Sequence, residues 1–189
     1  YVNLHYLKDV VQEHLDQHWA QNNKIRLHSE QHLLGTAGTL CSLNRELAGE
    51  KLLVIHADNL SDFCLEDFIL AHQNRPSNCQ ITMMLFETDS PSTCGIVELD
   101  EKRRVINMHE KKTNPPGNLA NGAVYIMEPQ MLEWIVNNKA TDISCEVIPA
   151  FYGQIYSWLN NCYHRDIGTP EAYALAQREF SRLSQRQSD

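Results

Sequence analysis

The stretch Lys51-Leu52-Leu53-Val54-Ile55-His56-Ala57-Asp58-Asn59 constrains this chain more than any other. Leu52 to Ile55 is an unbroken apolar run, which reads as a strand buried on both faces, and it stops abruptly in polar residues. A helical pattern, Cys64 to His72, comes next. A buried strand feeding a helix predicts an α/β fold with parallel strands. In such sheets ligands bind beyond the carboxyl ends of the strands. Asp58 therefore stands where a carboxylate can meet a ligand or a metal. An Asp or Asn in that place also serves to turn the chain or cap a helix.

The other elements follow from periodicity. Leu7, Val10, Val11, Leu15 and Trp19 give an amphipathic helix to about Ala20, and Lys24 to His28 alternates as a short strand. Gln80 to Phe86 is a second buried strand, and Cys94–Asp100 with Arg104–His109 forms a hairpin. Leu119 to Met127 is a strand, followed by helices from Pro129 to Asn137 and from Asp142 to Phe151. The aromatic segment Ile155 to Tyr163 reads as one more strand. Thr169, Pro170 and Glu171 open a final helix running to about Ser184, before a polar tail from Gln185 to Asp189.

Composition narrows the function classes. A chain of 189 residues is one domain of ordinary size. Its net charge of −8 argues against nucleic acid as the main partner, since phosphate backbones call for a basic surface. No apolar run approaches the roughly 18 residues of a membrane span, and no signal peptide is visible. Six cysteines without a close pair read as reduced thiols of a cytoplasmic protein, not as a disulfide frame or a zinc site. His14 and His18 share a helical face but lack any HExxH-like context.

Three further segments carry candidate chemistry. Leu34-Gly35-Thr36-Ala37-Gly38 opens a helix to about Ala48, where free backbone N–H groups and the positive dipole end suit a phosphate or a base edge; a plain capped helix explains it equally well. Glu110-Lys111 ends the hairpin beside a loop with Pro115, Pro116 and Gly117, either as an exposed ion pair or as a hydroxyl acceptor with a phosphate-binding cation. Asn121-Gly122 sits at a strand start, where a glycine permits close backbone approach.

In order and spacing, Leu34–Gly38, Asp58, Gly95, Glu110-Lys111, Asn121-Gly122 and Arg165-Asp166-Ile167-Gly168-Thr169-Pro170 resemble the sugar-1-phosphate nucleotidyltransferases, from Tyr1 to the final helix. Within that family the likeness is to guanylyltransferases acting on mannose- or heptose-1-phosphate. The resemblance implies a Rossmann-like three-layer α/β/α sandwich around a mixed, mostly parallel sheet. It implies in-line attack of a sugar-1-phosphate on the α-phosphate of an NTP, GTP favoured, releasing pyrophosphate. Asp58 and Asp166 would hold Mg²⁺, and Lys111 would neutralise the sugar phosphate. Glu110 would accept sugar hydroxyls, with Gly95, Asn121 and Gly122 lining that pocket. Gly35 and Thr36 would cradle the base, and Glu30 would read its edge through guanine N1–H and N2–H₂.

His56 and His164 depart from the family pattern and read as packed or hydrogen-bonded neighbours without a chemical role. The family's Gly-rich N-terminal strand and loop, ending in an Arg and then Pro-Lys-Pro, does not occur in this sequence, so 1–189 reads as a nucleotidyltransferase domain lacking that part. An unobserved segment, a truncated chain and a relative that has lost catalysis all account for this. A non-catalytic regulator binding a nucleotide sugar is accordingly the second reading. A homo-oligomer is left open.

Overall fold

The apolar segments at 81–87 and 119–127 become adjacent central strands, and everything else is layered on them. The computed structural model describes residues 1–19 and 24–186. In chain order the elements are β1 (Val2–Leu4), α1 (Lys8–Trp19), β2 (Leu27–Ser29), α2 (Thr36–Ser42), α3 (Asn44–Leu47), β3 (Leu52–Ile55), β4 (Asn59–Asp62) and α4 (Leu65–Gln73). Then come β5 (Ile81–Glu87), β6 (Gly95–Leu99), β7 (Val105–Glu110), β8 (Leu119–Met127) and α5 (Pro129–Asn138). A π-helical turn (Ile143–Val147) runs into α6 (Ile148–Ala150), followed by β9 (Ile155–Leu159), β10 (Tyr163–Asp166) and α7 (Pro170–Arg186). Ala20 and the end of the expected polar tail, 187–189, lie outside the described residues. Among the described residues no helix is long and apolar enough to cross a membrane.

The main sheet has six strands in the order β7-β6-β8-β5-β9, with β3 also on β8. It is mixed, as expected. β3, β5 and β6 all pair antiparallel to β8, so they share one direction, and β9 runs parallel to β5. Because β8 stands between these co-directional strands, β5–β9 is the one parallel pairing in this sheet among the described residues. The cause is local: the hairpin reverses the chain between β6 and β7, and the following loop carries it on in the direction of β7, so β8 also runs against β6.

Strand periodicity puts a core on each face. Ile81, Met83 and Leu85 of β5 join Tyr125 and Met127 of β8 against Leu40 of α2 and Met131, Leu132 and Ile135 of α5. The alternate residues Met84, Val124 and Ile126 meet Phe68 of α4, with Trp158 and Phe63 packed beside them. Helices thus cover both faces of the sheet.

Three expectations change. β3 is not buried on both faces: Leu53 and Ile55, on one face, are 44% and 52% exposed, and among the described residues β3 pairs with β8 alone, at an edge of the sheet. The amphipathic helix α1 buries no residue, and its stripe of Leu7, Val10 and Trp19 stays exposed. The segment read as one strand, 155–163, breaks after Leu159. Asn160 makes that corner: its side chain donates to the carbonyls of Asp62 and Tyr163, both at 3.2 Å, and accepts from the Cys162 N–H at 2.9 Å. The chain then leaves the main sheet as β10 and pairs antiparallel with β4, a strand the sequence pattern does not reveal.

At the far end of β8 the buried His72 is 1% exposed, with Nδ1 2.8 Å from Thr82 Oγ1 and Nε2 3.0 Å from Glu128 Oε1. Glu128 also pairs with Lys51 at 3.1 Å and with Arg75. Burial, helped by the Arg75 charge and opposed by Glu128, pushes the His72 imidazole down to about 4. The unfolded chain takes up this proton near pH 6.5, whereas the folded chain resists it. Stability from this group is therefore complete above about pH 6.5 and is lost as pH falls towards 4, by about 2–3 kcal/mol. Urea unfolding across that range in wild type and His72→Gln measures it; the variant's profile is expected to be flatter there.

Candidate functional site

The β4–β10 ladder decides where two carboxylates lie. Its register sets Asp166 opposite Asn59, and the Ile167 N–H donates to the Asp58 carbonyl at 2.7 Å. Asp58 and Asp166, 108 residues apart in the sequence, thereby face one small space over Gly168. A Cβ on Gly168 would stand 3.0 Å from Asp166 Oδ1 and 3.8 Å from Asp58 Oδ2, so a side chain there would intrude on both. Both carboxylates are exposed. Asp166 Oδ1 accepts the Gly168 N–H at 2.7 Å, and Asp58 Oδ1 accepts from Asn59 Nδ2 at 3.2 Å. Among the described residues no three of His, Cys, Asp and Glu converge. The pair suits a hard divalent cation that takes its remaining oxygens from phosphate and water.

Next to this pair, His164 is packed as expected. Its ring lies 4.1 Å from that of Phe86, and its Nδ1 is 2.7 Å from Ser61 Oγ. Burial pushes the imidazole down to about 4 against the pull of Asp166, so it is neutral at pH 7. His56 stands edge-on to Tyr125 at 6.3 Å, and its Nε2 is buried without a hydrogen-bond partner among the described residues.

The sugar-side residues gather where β6, β7 and β8 meet. Gly95 and Glu110 are register partners, and Asn121 lies on the adjoining strand. A Cβ on Gly95 would stand 2.6 Å from Glu110 Oε2 and 3.3 Å from Met108 Sδ, so its missing side chain makes room for the Glu110 carboxylate. A carboxylate at the end of a flexible side chain can swing away. Gly95→Ala is therefore expected to change unfolding free energy by less than about 1 kcal/mol while misplacing Glu110. If Glu110 holds a sugar hydroxyl, KM for the sugar phosphate rises about tenfold; steady-state kinetics beside a urea melt checks both.

The missing side chain of Gly122 leaves room for Met84, whose Cε would be 2.8 Å and carbonyl oxygen 3.1 Å from a Cβ, so packing on the Met84 face requires a glycine. The left-handed backbone sits instead at Ala123, φ 52°. Lys111, also left-handed at φ 48°, is exposed at the end of β7 and anchored by its N–H to the Cys94 carbonyl at 3.1 Å.

On the other side, Gly35 takes φ 79° and leads into α2. The turn does not leave all its N–H groups free: those of Ala37 and Gly38 donate to the Thr141 carbonyl at 3.0 and 3.3 Å. Thr36 Oγ1 in turn accepts the Ile143 N–H at 2.8 Å. Glu30 is neither exposed nor idle. It is 4% exposed, Oε1 accepts from Thr39 Oγ1 at 2.5 Å, and Oε2 accepts the Leu34 N–H at 3.2 Å. In this conformation these two bonds make Glu30 a brace for the turn.

Thr36 is thus bonded to Ile143 and Asn121 to Tyr125, and His164 lies against Gly122. The structure adds Thr141, Ser144 and Asn160. Of these only Asn160 left a signal, as a poor strand former inside an apolar run.

A family model described as nucleotidyl transferase matches residues 1–182. A mannose-1-phosphate guanylyltransferase of Mycobacterium tuberculosis (strain ATCC 25618 / H37Rv) is 28% identical over 163 residues, covering 84% of this chain and 45% of that protein. A probable mannose-1-phosphate guanylyltransferase 2 of Arabidopsis thaliana is 32% identical, covering 83% of this chain and 44% of that protein. The chain therefore spans somewhat less than half the length of these curated relatives. HddC from Yersinia pseudotuberculosis, solved complexed with GMP-PN, has the same fold, with a TM-score of 0.77 at 22% identity over 94% of this chain and 76% of that one.

Proposed function

The chain belongs to the nucleotidyl transferase family, and from that premise we propose that it forms the substrate-holding part of a sugar-1-phosphate guanylyltransferase. The observation that carries the proposal is the meeting of Asp58 and Asp166 over Gly168. The preference for GTP over other nucleotides is supported by the names of the relatives.

In the proposed reaction an oxygen of the sugar-1-phosphate attacks the α-phosphate of GTP, the bond to the β-phosphate breaks, and pyrophosphate leaves. Little covalent work falls to the protein; it aligns two anions that repel each other. Asp58 and Asp166 would hold Mg²⁺, which when bound supplies positive charge to the phosphates. Lys111 would offset the charge of the sugar phosphate, Glu110 would accept sugar hydroxyls, and the Gly35-Thr36 turn would receive the base. Asn121 would face the sugar.

The test uses the complete polypeptide with Mg²⁺, GTP and mannose-1-phosphate, and reads pyrophosphate. Release that requires both substrates supports the proposal. Nucleotide-sugar binding without any turnover would replace it with the regulatory, non-catalytic reading.

A further inference from the structure

We infer that Tyr125 and Ser144 are positioning residues that set Asn121 and tie the sugar side of the site to its nucleotide side. The inference rests on the function proposed above. Tyr125 is fully buried in the layer built from β5, β8 and α5. Phe would fill that space equally well, so packing alone does not account for the hydroxyl. The hydroxyl is instead a junction. It accepts from Asn121 Nδ2 at 2.7 Å, and the Ser144 side chain lies next to it. Burial raises the phenol's pKa, which keeps it a neutral bridge.

Asn121 has little freedom left. Its Oδ1 accepts the Ala123 N–H at 3.0 Å, which fixes which end of the amide is oxygen and turns Nδ2 to Tyr125. Ala123 holds the left-handed backbone that this bond requires, and its carbonyl is pinned by the His56 N–H at 3.1 Å. A non-glycine residue in that conformation persists only where its surroundings over-determine it. Ser144 belongs to the π-helical turn, a form that recurs at functional sites. The first residue of that turn, Ile143, donates to Thr36 Oγ1 at 2.8 Å. One connected path therefore runs from Thr36 through Ile143, Ser144 and Tyr125 to Asn121. An amide held this rigidly, with Nδ2 also turned to Met108 Sδ at 4.0 Å, presents its remaining lone pair in a fixed direction, which is how a site tells an axial hydroxyl from an equatorial one.

The experiment compares mannose-1-phosphate with its C2 epimer glucose-1-phosphate at saturating GTP, in the complete polypeptide. Tyr125→Phe is expected to lower the ratio of their kcat/KM values about tenfold, mainly by raising KM for the preferred sugar phosphate. Ser144→Ala should lower the ratio in the same direction, Ser144→Thr should restore it, and the double variant should be less than additive. A Tyr125→Phe protein with a changed thermal midpoint but an unchanged ratio would mean that the hydroxyl serves packing alone, and overturns the inference. Should Tyr125→Phe not fold, Ser144→Ala carries the same two outcomes. A wild type that turns over neither sugar phosphate overturns the proposed function and this inference with it; an active wild type with unaltered variants overturns this inference only.

Discussion

Asp166→Asn is expected to reduce turnover by about 10³-fold or more, with loss of its dependence on added Mg²⁺. The thermal midpoint should move by no more than about 2 °C. The two outcomes separate because of where Asp166 sits. It is exposed, and the structural bond it makes, accepting the Gly168 N–H at 2.7 Å, can be kept by the Asn carbonyl. What the amide cannot replace is a negative charge opposite Asp58. Pyrophosphate release by the complete polypeptide, beside a thermal melt, measures both; a variant as active as wild type removes Asp166 from the chemistry.

Gly35→Ala is expected to cost about 2–4 kcal/mol of stability, or a fall of roughly 5–15 °C in thermal midpoint. At φ 79° an alanine is strained, and its Cβ would stand 2.3 Å from the Thr141 carbonyl oxygen. That oxygen cannot retreat without releasing the Ala37 and Gly38 N–H groups it accepts. Gly49, at φ 80° with nothing within 4 Å of its Cβ position, isolates the strain from the collision. Gly49→Ala should therefore cost only about 1 kcal/mol. Calorimetric scans of the two variants give the comparison; equal losses would mean that the contact with Thr141 is soft.

Much of this was legible in the sequence, for identifiable reasons. Strands such as Ile81–Glu87 and Leu119–Met127 announce themselves because both faces are buried and nearly every residue is apolar. Asp58 could be placed as a candidate because a polar residue after a buried strand marks a strand end. Its meeting with Asp166 was implied by the family resemblance alone and not by periodicity, because β4 reads Asn-Leu-Ser-Asp and has neither the apolar alternation nor the β-branched residues of a strand. The sheet's pairing was also hidden. Periodicity shows which residues are buried but not that β8 inserts between co-directional strands. The glycines show the limit most clearly. Gly35, Gly95, Gly122 and Gly168 look alike in a sequence, yet their missing side chains make room for Thr141, Glu110, Met84 and the carboxylate pair respectively. Tyr125 looked like an ordinary core residue, since the Ser144 that meets its hydroxyl lies on a turn that carries no periodic signal.

The account's central claim is that the β4–β10 ladder brings Asp58 and Asp166 together to hold a divalent cation. An electron paramagnetic resonance titration of Mn²⁺ into the complete polypeptide with GTP tests it without requiring turnover. The expected result is one tightly bound Mn²⁺ in wild type, weakened more than about tenfold in Asp58→Asn and in Asp166→Asn alike. Wild-type Mn²⁺ affinity in both variants would contradict the claim and leave the carboxylate pair as a feature of the turn alone.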